Sequence, residues 1–352
     1  MLIKQSTFHS GSATRRLRAD DPADLATAAT ILRGGGTVAF PTETVYGLGA
    51  NALDPVAVER IFVAKARPTW DPLIVHIGDI EQLEQVAELH GPVLARARQL
   101  AEAFWPGPLT MLLPRTAAVP DLVTAARLRV GVRLPAHRVA RALIRAAGVP
   151  VAAPSANRFG HTSPTTADHV IDDLDGRIDA VLDGGASLVG VESTVVDVCE
   201  WPMVLYRPGA VTAEQLRAVA GAVDVFVAAE RGSVGEAAPE SLPSPGVGLR
   251  HYAPRARLVL VRDAAELLER CAALTADGDV GVLLPEGWDA GSPKAVFGWG
   301  GWQQHEVLAQ RLFAGMRMLD AAGVAAIVCP VPQGNGVAEA IRDRLLKAAM
   351  RD

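Results

Sequence analysis

Lys65 and Arg67 stand two residues apart in VAKARP, where a helix runs into Pro68. On a helix they would point to different sides, but Arg67 precedes proline, which favours extended backbone. The two cations could then converge on one anionic ligand; the other reading is a solvated pair at a helix C-terminus, favourable to its dipole. The stretch RLRVGVRLP alternates, with Leu128, Val130, Val132 and Leu134 on one face and Arg127, Arg129, Gly131 and Arg133 on the other. That is either a cationic strip able to grip a carboxylate or phosphate by bidentate bonds, or an exposed face with scattered arginines. His76 in LIVHI lies opposite Leu73, Val75 and Ile77; a lone histidine in a strand is more often structural than a ligand contact. Ser155 and Asn157 in APSANRFGHTSPTT follow a buried strand. Their short polar groups suit a nucleotide, though both residue types also build turns. Ser193 and Thr194 interrupt an apolar strand in GVESTVVD, and Arg207 ends a strand before Pro208-Gly209.

The segment FPTETVYGLGA places Thr42, Glu43 and Thr44 after the apolar Val38-Ala39-Phe40 and closes on Gly47-Leu48-Gly49. A surface turn would explain it, and so would a backbone that lies close to a ligand, with the glycines permitting a tight turn. A dinucleotide fingerprint matches poorly, because it needs glycine at the strand end and a helix at once. Here six residues separate Phe40 from Gly47, and the next helix starts near Pro55. GxxxxGK[ST] does not occur. Neither NAD nor a P-loop is expected.

The elements that must position these groups mix strands and helices without strict alternation. Helices are expected over 22–33, from Asp54-Pro55 to Ala66, over 80–89, 92–104 and 138–147, and after the caps Thr166 and Thr212. Short strands fall between them, which argues for an α/β domain with a mixed sheet over roughly 20–220. Residues 229–255 are rich in Gly, Pro, Ser and Glu and read as a linker, ending on Arg250-His251-Tyr252 with Gly246 and Gly248 before it. The remainder reads as a small Rossmann-like domain: strands 257–262, 280–284, 294–298 and 324–329, with helices 264–275, 304–321 and 337–349. The expected division is a polar lead-in 1–20, a catalytic domain 21–221, a linker or lid 222–255 and a C-terminal domain 256–352. The net charge of −5 argues against a protein held mainly by nucleic-acid phosphates. Cys199, Cys271 and Cys329 form no metal or disulfide pattern, so zinc is not expected and a reducing cytoplasm fits. No apolar run approaches the ~20 residues of a spanning helix, so no membrane role is expected.

Taken in order, PTETVYGLGA, KARP…DPLIVHI, WPGPLT, VGVRLPAH, PVAAPSANRFGHTSPTT, GVESTVVD and RPGAVT closely resemble the YrdC-type threonylcarbamoyl-AMP synthases. SPGVGLRHYAP and the small domain resemble the long form of that family, and the likeness spans about residues 20–352. The resemblance implies an α/β fold with a twisted mixed sheet around a large basic cavity. It implies synthesis of threonylcarbamoyl-AMP from L-threonine, bicarbonate and ATP, with release of pyrophosphate, for t6A modification of tRNA. Thr44, His76, Arg133, Ser193 and the backbone near Ala153 resemble the threonine contacts, with Arg133 on the substrate carboxylate. Lys65, Arg67, Ser155 and Asn157 resemble the family's signature on ATP, and Ser163, Arg207 and Tyr252 its further ATP contacts. Asp71 stands where the family usually has Asn, and Arg129 where it has Thr; both positions lie near ATP in the family. Mg²⁺ is expected on the ATP phosphates. Downstream threonylcarbamoyl-transfer machinery is the implied partner. The alternative is an RNA-binding module of the same fold; the acidic balance and few aromatics weigh against it, leaving at most a weak tRNA contact.

Overall fold

The computed structural model describes residues 13–227, 244, 251–276 and 278–350. The expected roles of Gly246, Gly248 and Arg250, and most of the linker, lie outside the described residues.

The first sheet has eleven strands: β1 (Arg15–Arg18), β2 (Val38–Phe40), β3 (Gly47–Asn51), β4 (Ile74–His76), β5 (Leu109–Pro114), β6 (Arg129–Arg133), β7 (Val151–Ala152), β8 (Ala180–Asp183), β9 (Thr194–Asp197), β10 (Met203–Arg207) and β11 (Val223–Val225). Their order is β1-β8-β2-β3-β7-β4-β6-β5-β9-β10-β11, with parallel and antiparallel neighbours interleaved. Central strands such as β4 and β6 are buried almost throughout, the polar His76 and Arg133 at their ends included, because both faces are covered. Helices Pro22–Arg33 and Arg138–Ala147 close one face over Leu32, Leu143 and Ile144. Helices Pro55–Lys65 and Gly91–Phe104 belong to the larger core on the other, around Ile61, Leu100, Val75 and Val132. Asp54 caps the first of these through the amides of Val56 and Ala57, with Pro55 at the first helical position, as its sequence leads one to expect.

Three local readings change. Gly47-Leu48-Gly49 is not a tight turn but strand β3, paired antiparallel with β2; the turn is made by the residues before it. The glycines are there for space: a Cβ on Gly49 would stand 2.7 Å from both the Phe40 ring and Val151. Residues 80–89 do not form one helix. A 3₁₀ turn (Ile80–Gln82) and a single helical turn (Leu83–Val86) end where Ala87 bridges Arg115 and the Glu88 amide bonds the Pro114 carbonyl, so pairing with β5 wins over helix propensity. Part of the lead-in is structured, since Arg15–Arg18 pairs parallel with β8 at the sheet edge.

The second sheet is all parallel, β12 (Arg257–Val261), β13 (Val280–Pro285), β14 (Ala295–Gly300) and β15 (Ala326–Pro330) in the order β12-β15-β13-β14. Helices Ala264–Thr275, His305–Ala321 and Val337–Ala349 cover it. Its core does not stop at the domain boundary. Leu308, Phe313, Ile341 and Leu345 pack in one cluster with Val45, Val191 and Tyr252. Gly190 has φ +77°, and a Cβ there would lie 2.4 Å from the Gln310 Cα, so only glycine lets the helix approach this closely. Among the described residues no helix is long and apolar enough to cross a membrane.

Candidate active site

The middle of the large sheet brings the polar groups together. β4 and β6 run parallel with His76 opposite Arg133 in register, so both side chains leave the same ends of neighbouring strands. β10 ends on Arg207, β9 begins just after Ser193, and Thr44 sits in the turn between β2 and β3. These residues line one cavity together with Arg67, Ala153, Ser155, Glu192 and Tyr252. Its free volume is about 50 Å³, room for only a few waters. The resemblance implied a large cavity. His251 and Tyr252, both buried, close this one: His251 stands edge-on to Phe159 and Tyr252 stacks on Phe313 of the C-terminal domain.

Each cation is held by named partners. The Arg133 guanidinium donates from Nη1 to the Thr44 hydroxyl at 2.9 Å and from Nε to the Gly107 carbonyl at 3.2 Å, and pairs with Glu43 at 2.7 Å. Burial alone would raise the Glu43 carboxyl, but Arg133 outweighs it and holds that group below the usual range. Glu43 also accepts from the amides of Ala136 and His137 at the start of helix Arg138–Ala147. His76 is fully enclosed; burial first, and then the Arg133 charge, push its imidazole down to about 3, so it is neutral at ordinary pH. Its Nδ1 has no hydrogen-bond partner among the described residues.

Lys65 and Arg67 are buried, not solvated at a helix end. Ala66 adopts the left-handed conformation, φ 52°, and this turns the chain so that both cations point inward. The Lys65 ammonium donates to the carbonyl of Ser155 at 2.5 Å and to that of Asn157, tying the loop after β7 to the helix. Burial, with Arg67 nearby, lowers its pKa well below the ordinary value. Arg67 donates to the carbonyls of Asp71 and Pro72 at 3.1 and 2.8 Å and pairs with the Asp71 carboxylate at 2.9 Å. Asp71 is therefore compensated by its own arginine, although burial still raises its pKa. Arg207 donates to the Ser193 carbonyl at 2.9 Å and hydroxyl at 3.0 Å, and that hydroxyl lies 2.8 Å from Thr110.

Asn157 and Ser163 stand beside the cavity, Asn157 bonded to the Arg158 and His161 carbonyls and Ser163 to Glu192 at 2.5 Å. Arg129 is not brought to the site. It pairs with Asp197 and Glu200, the latter at 2.5 Å, and does not line the cavity. Of the arginines on the expected strip, Arg133 alone lines the cavity. Glu43, Glu192 and Thr110 were missed, although PTET and GVEST display two of them. The arrangement offers cations and neutral donors, with which it can bind and polarise an anionic substrate; among the described residues no hydrogen bond joins a serine or cysteine to a histidine at the cavity.

Known proteins share this architecture. A family model described as "Telomere recombination", that of the Sua5, YciO and YrdC proteins, matches residues 30–209. One described as "Threonylcarbamoyl-AMP synthase, C-terminal domain" matches residues 211–350. The threonylcarbamoyl-AMP synthase of Bacillus subtilis is 44% identical over 341 residues, covering 96% of this chain and 95% of its own. That of Pyrococcus abyssi is 41% identical over 331 residues, covering 92% and 93%. A crystal structure of P. abyssi Sua5 complexed with L-threonine matches with a TM-score of 0.87 at 40% identity, over 96% of this chain and 98% of that one.

Proposed function

The chain belongs to the Sua5–YrdC family of threonylcarbamoyl-AMP synthases, in the two-domain form, and on that premise we propose that it makes L-threonylcarbamoyl-AMP from L-threonine, bicarbonate and ATP with release of pyrophosphate. The observation that carries the reading is the convergence of Arg67, Arg133 and Arg207 on one buried cavity that also presents Thr44, Ser155 and Ser193, with Lys65 buried behind it against the Ser155 carbonyl.

Threonine's amine adds to bicarbonate, losing water, to give a carbamate. A carbamate oxygen attacks the α-phosphorus of ATP, the bond to the bridging oxygen breaks, and pyrophosphate leaves. The nucleophile comes from substrate, so the protein need only position the two reactants and stabilise charge on the phosphates. Arg133 takes the threonine carboxylate, already aimed by Glu43 and Thr44. His76, neutral, and Ser193 complete the threonine end, and the backbone at Ala153 lies beside them. Lys65, Arg67 and Arg207 face the phosphates, with Ser155, Asn157, Ser163 and Tyr252 around the nucleotide. Among the described residues no three His, Cys, Asp or Glu side chains are grouped to hold a metal, and Asp71 is already paired with Arg67. That donor set fits Mg²⁺ carried on ATP by phosphates and water, where it would offset phosphate charge. The product would pass to a threonylcarbamoyl transferase acting on tRNA, in the cytoplasm.

The test is pyrophosphate release with threonine, bicarbonate and ATP, each omitted in turn. Release that needs all three supports the reading. Release with ATP alone at the same rate makes the protein a plain pyrophosphohydrolase and refutes it.

A further inference from the structure

We propose that Arg344, carried by the C-terminal domain, is a positioning residue of the active site: it neutralises Glu192 in the cavity wall and pins the backbone on either side of Ser193 and Arg207. The inference rests on the adenylate-forming reading above. Arg344 lies in helix Val337–Ala349, where an arginine would ordinarily reach solvent, yet it is fully buried. Its Nε donates to a Glu192 carboxylate oxygen at 2.8 Å and Nη2 to the Glu192 carbonyl at 3.4 Å. Nη1 donates to the Pro208 carbonyl at 3.0 Å and to Asp343 of its own helix at 2.7 Å. Glu192 directly precedes Ser193, and Pro208 directly follows Arg207. These segments touch, for a Cβ on Gly209 would lie 2.4 Å from the Thr194 nitrogen. One guanidinium from a second domain thus ties together the flanks of two site residues. Its face also lies 5.2 Å from the ring centre of Tyr252, which lines the cavity.

The charge matters as much as the geometry. Glu192 lines the cavity, and among the described residues its other oxygen takes only the Ser163 hydroxyl, at 2.5 Å. Left without Arg344, this buried carboxylate would face a strongly anionic triphosphate. Threonine is a zwitterion of no net charge, so the repulsion falls on ATP. Losing the arginine therefore separates the two substrates in a way that loss of a purely structural bridge would not.

The experiment uses the full chain. ATP binding is measured by calorimetry, KM for ATP and for threonine by pyrophosphate release, and folding by melting, for Arg344→Met and for Arg344→Met combined with Glu192→Gln. Arg344→Met should weaken ATP by roughly 10- to 100-fold, the scale of one unscreened charge several Å away, and threonine by less than about threefold on the same scale of reasoning. Removing the carboxylate in the double variant should restore ATP to within about threefold of the wild type. Equal losses for both substrates, or a double variant no better than the single, would overturn the proposal. If Arg344→Met does not fold, Arg344→Lys carries the test. It keeps the charge but not the fork, so ATP affinity should hold while kcat falls, and the reverse order refutes the electrostatic role. A wild type that binds ATP but releases no pyrophosphate refutes the functional reading alone, because the binding arm still judges Arg344.

Discussion

Replacing Lys65 by methionine separates two roles that one ammonium fills here. A solvated cation at a helix end would contribute under about 1 kcal/mol to folding, and its loss would hardly be felt. Lys65 is instead buried and donates to the carbonyls of Ser155 and Asn157. Leaving two enclosed carbonyls unpaired costs about 1–3 kcal/mol each, while removing a buried ammonium returns several kcal/mol of desolvation. Methionine keeps most of the side-chain volume, so the net loss should be about 1–3 kcal/mol, and the melting temperature should fall by about 2–4 °C per kcal/mol. Turnover should fall much further, by about 10²-fold or more, as when a charge-stabilising donor is removed. The protonation linkage adds a second readout. Burial holds the folded-state pKa well below 10.5, so between that folded value and 10.5 the unfolded chain binds the extra proton. Stability contributed by this group therefore rises with pH across that window, and Lys65→Met lacks the slope. ATP phosphates would raise the lysine's pKa, so in the pH range where Lys65 of the free protein loses its proton the wild type should take up a proton on binding ATP and the methionine variant should not. Calorimetry in two buffers of different ionisation enthalpy measures this. Pyrophosphate release within about threefold of the wild type, or equal proton uptake by both proteins, would refute the assignment of Lys65 to the phosphates.

Arg133→Lys keeps a charge beside Glu43 but loses the two-pronged grip, so threonine and serine should weaken together; a variant that loses threonine and keeps serine refutes the carboxylate role. In the wild type the two amino acids should differ by only about 10- to 200-fold, the worth of one methyl in a snug pocket, as competition assays will show. Tyr252→Ala should alter ATP binding more than threonine binding, because the remaining 50 Å³ admits a nucleotide only if His251 and Tyr252 shift; equal effects on both would count against this. His76 takes no proton in the folded state until about pH 3, whereas the unfolded chain takes one near 6.5. Its contribution to stability therefore falls as pH drops from about 6.5, by about 1.4 kcal/mol per unit. His76→Asn should remove that one-proton slope in urea titrations between pH 7 and 5, and an unchanged slope would place the proton elsewhere.

The C-terminal domain was legible almost residue by residue. Its parallel strands are short apolar runs between helices, and helix 264–275 begins where Asp263 accepts from the Glu266 amide. What escaped was whatever depends on a distant partner. β1 is RRLR, three arginines in four residues, and is a strand only because β8 offers an edge. β3 reads as a glycine turn because the reason for its glycines, the Phe40 ring, is on another strand. Arg129 shares the alternation of Arg133 but meets Asp197 and Glu200, acids far along the chain. Arg344 sits in IRDRLL with no mark that distinguishes it from the half-buried Arg342, since the carboxylate it serves is 152 positions away.

The pattern of pairing says which charges remain for a substrate. Arg133 answers Glu43, Arg67 answers Asp71 and Arg344 answers Glu192, each within 3 Å, so three arginines and three carboxylates leave the cavity close to neutral. Lys65 and Arg207 have no carboxylate partner among the described residues; they donate to carbonyls and to a serine. Both are buried, where a cation facing only dipoles is costly and a polyanion is correspondingly welcome. The paired arginines then serve as rigid, oriented donors, and the surplus charge that draws the triphosphate comes from Lys65 and Arg207. A site built so binds its anion partly by relieving the protein's own desolvation strain, which is why removing Lys65 or Arg207, unlike disturbing the Arg133–Glu43 pair at the threonine end, should change ATP far more than threonine.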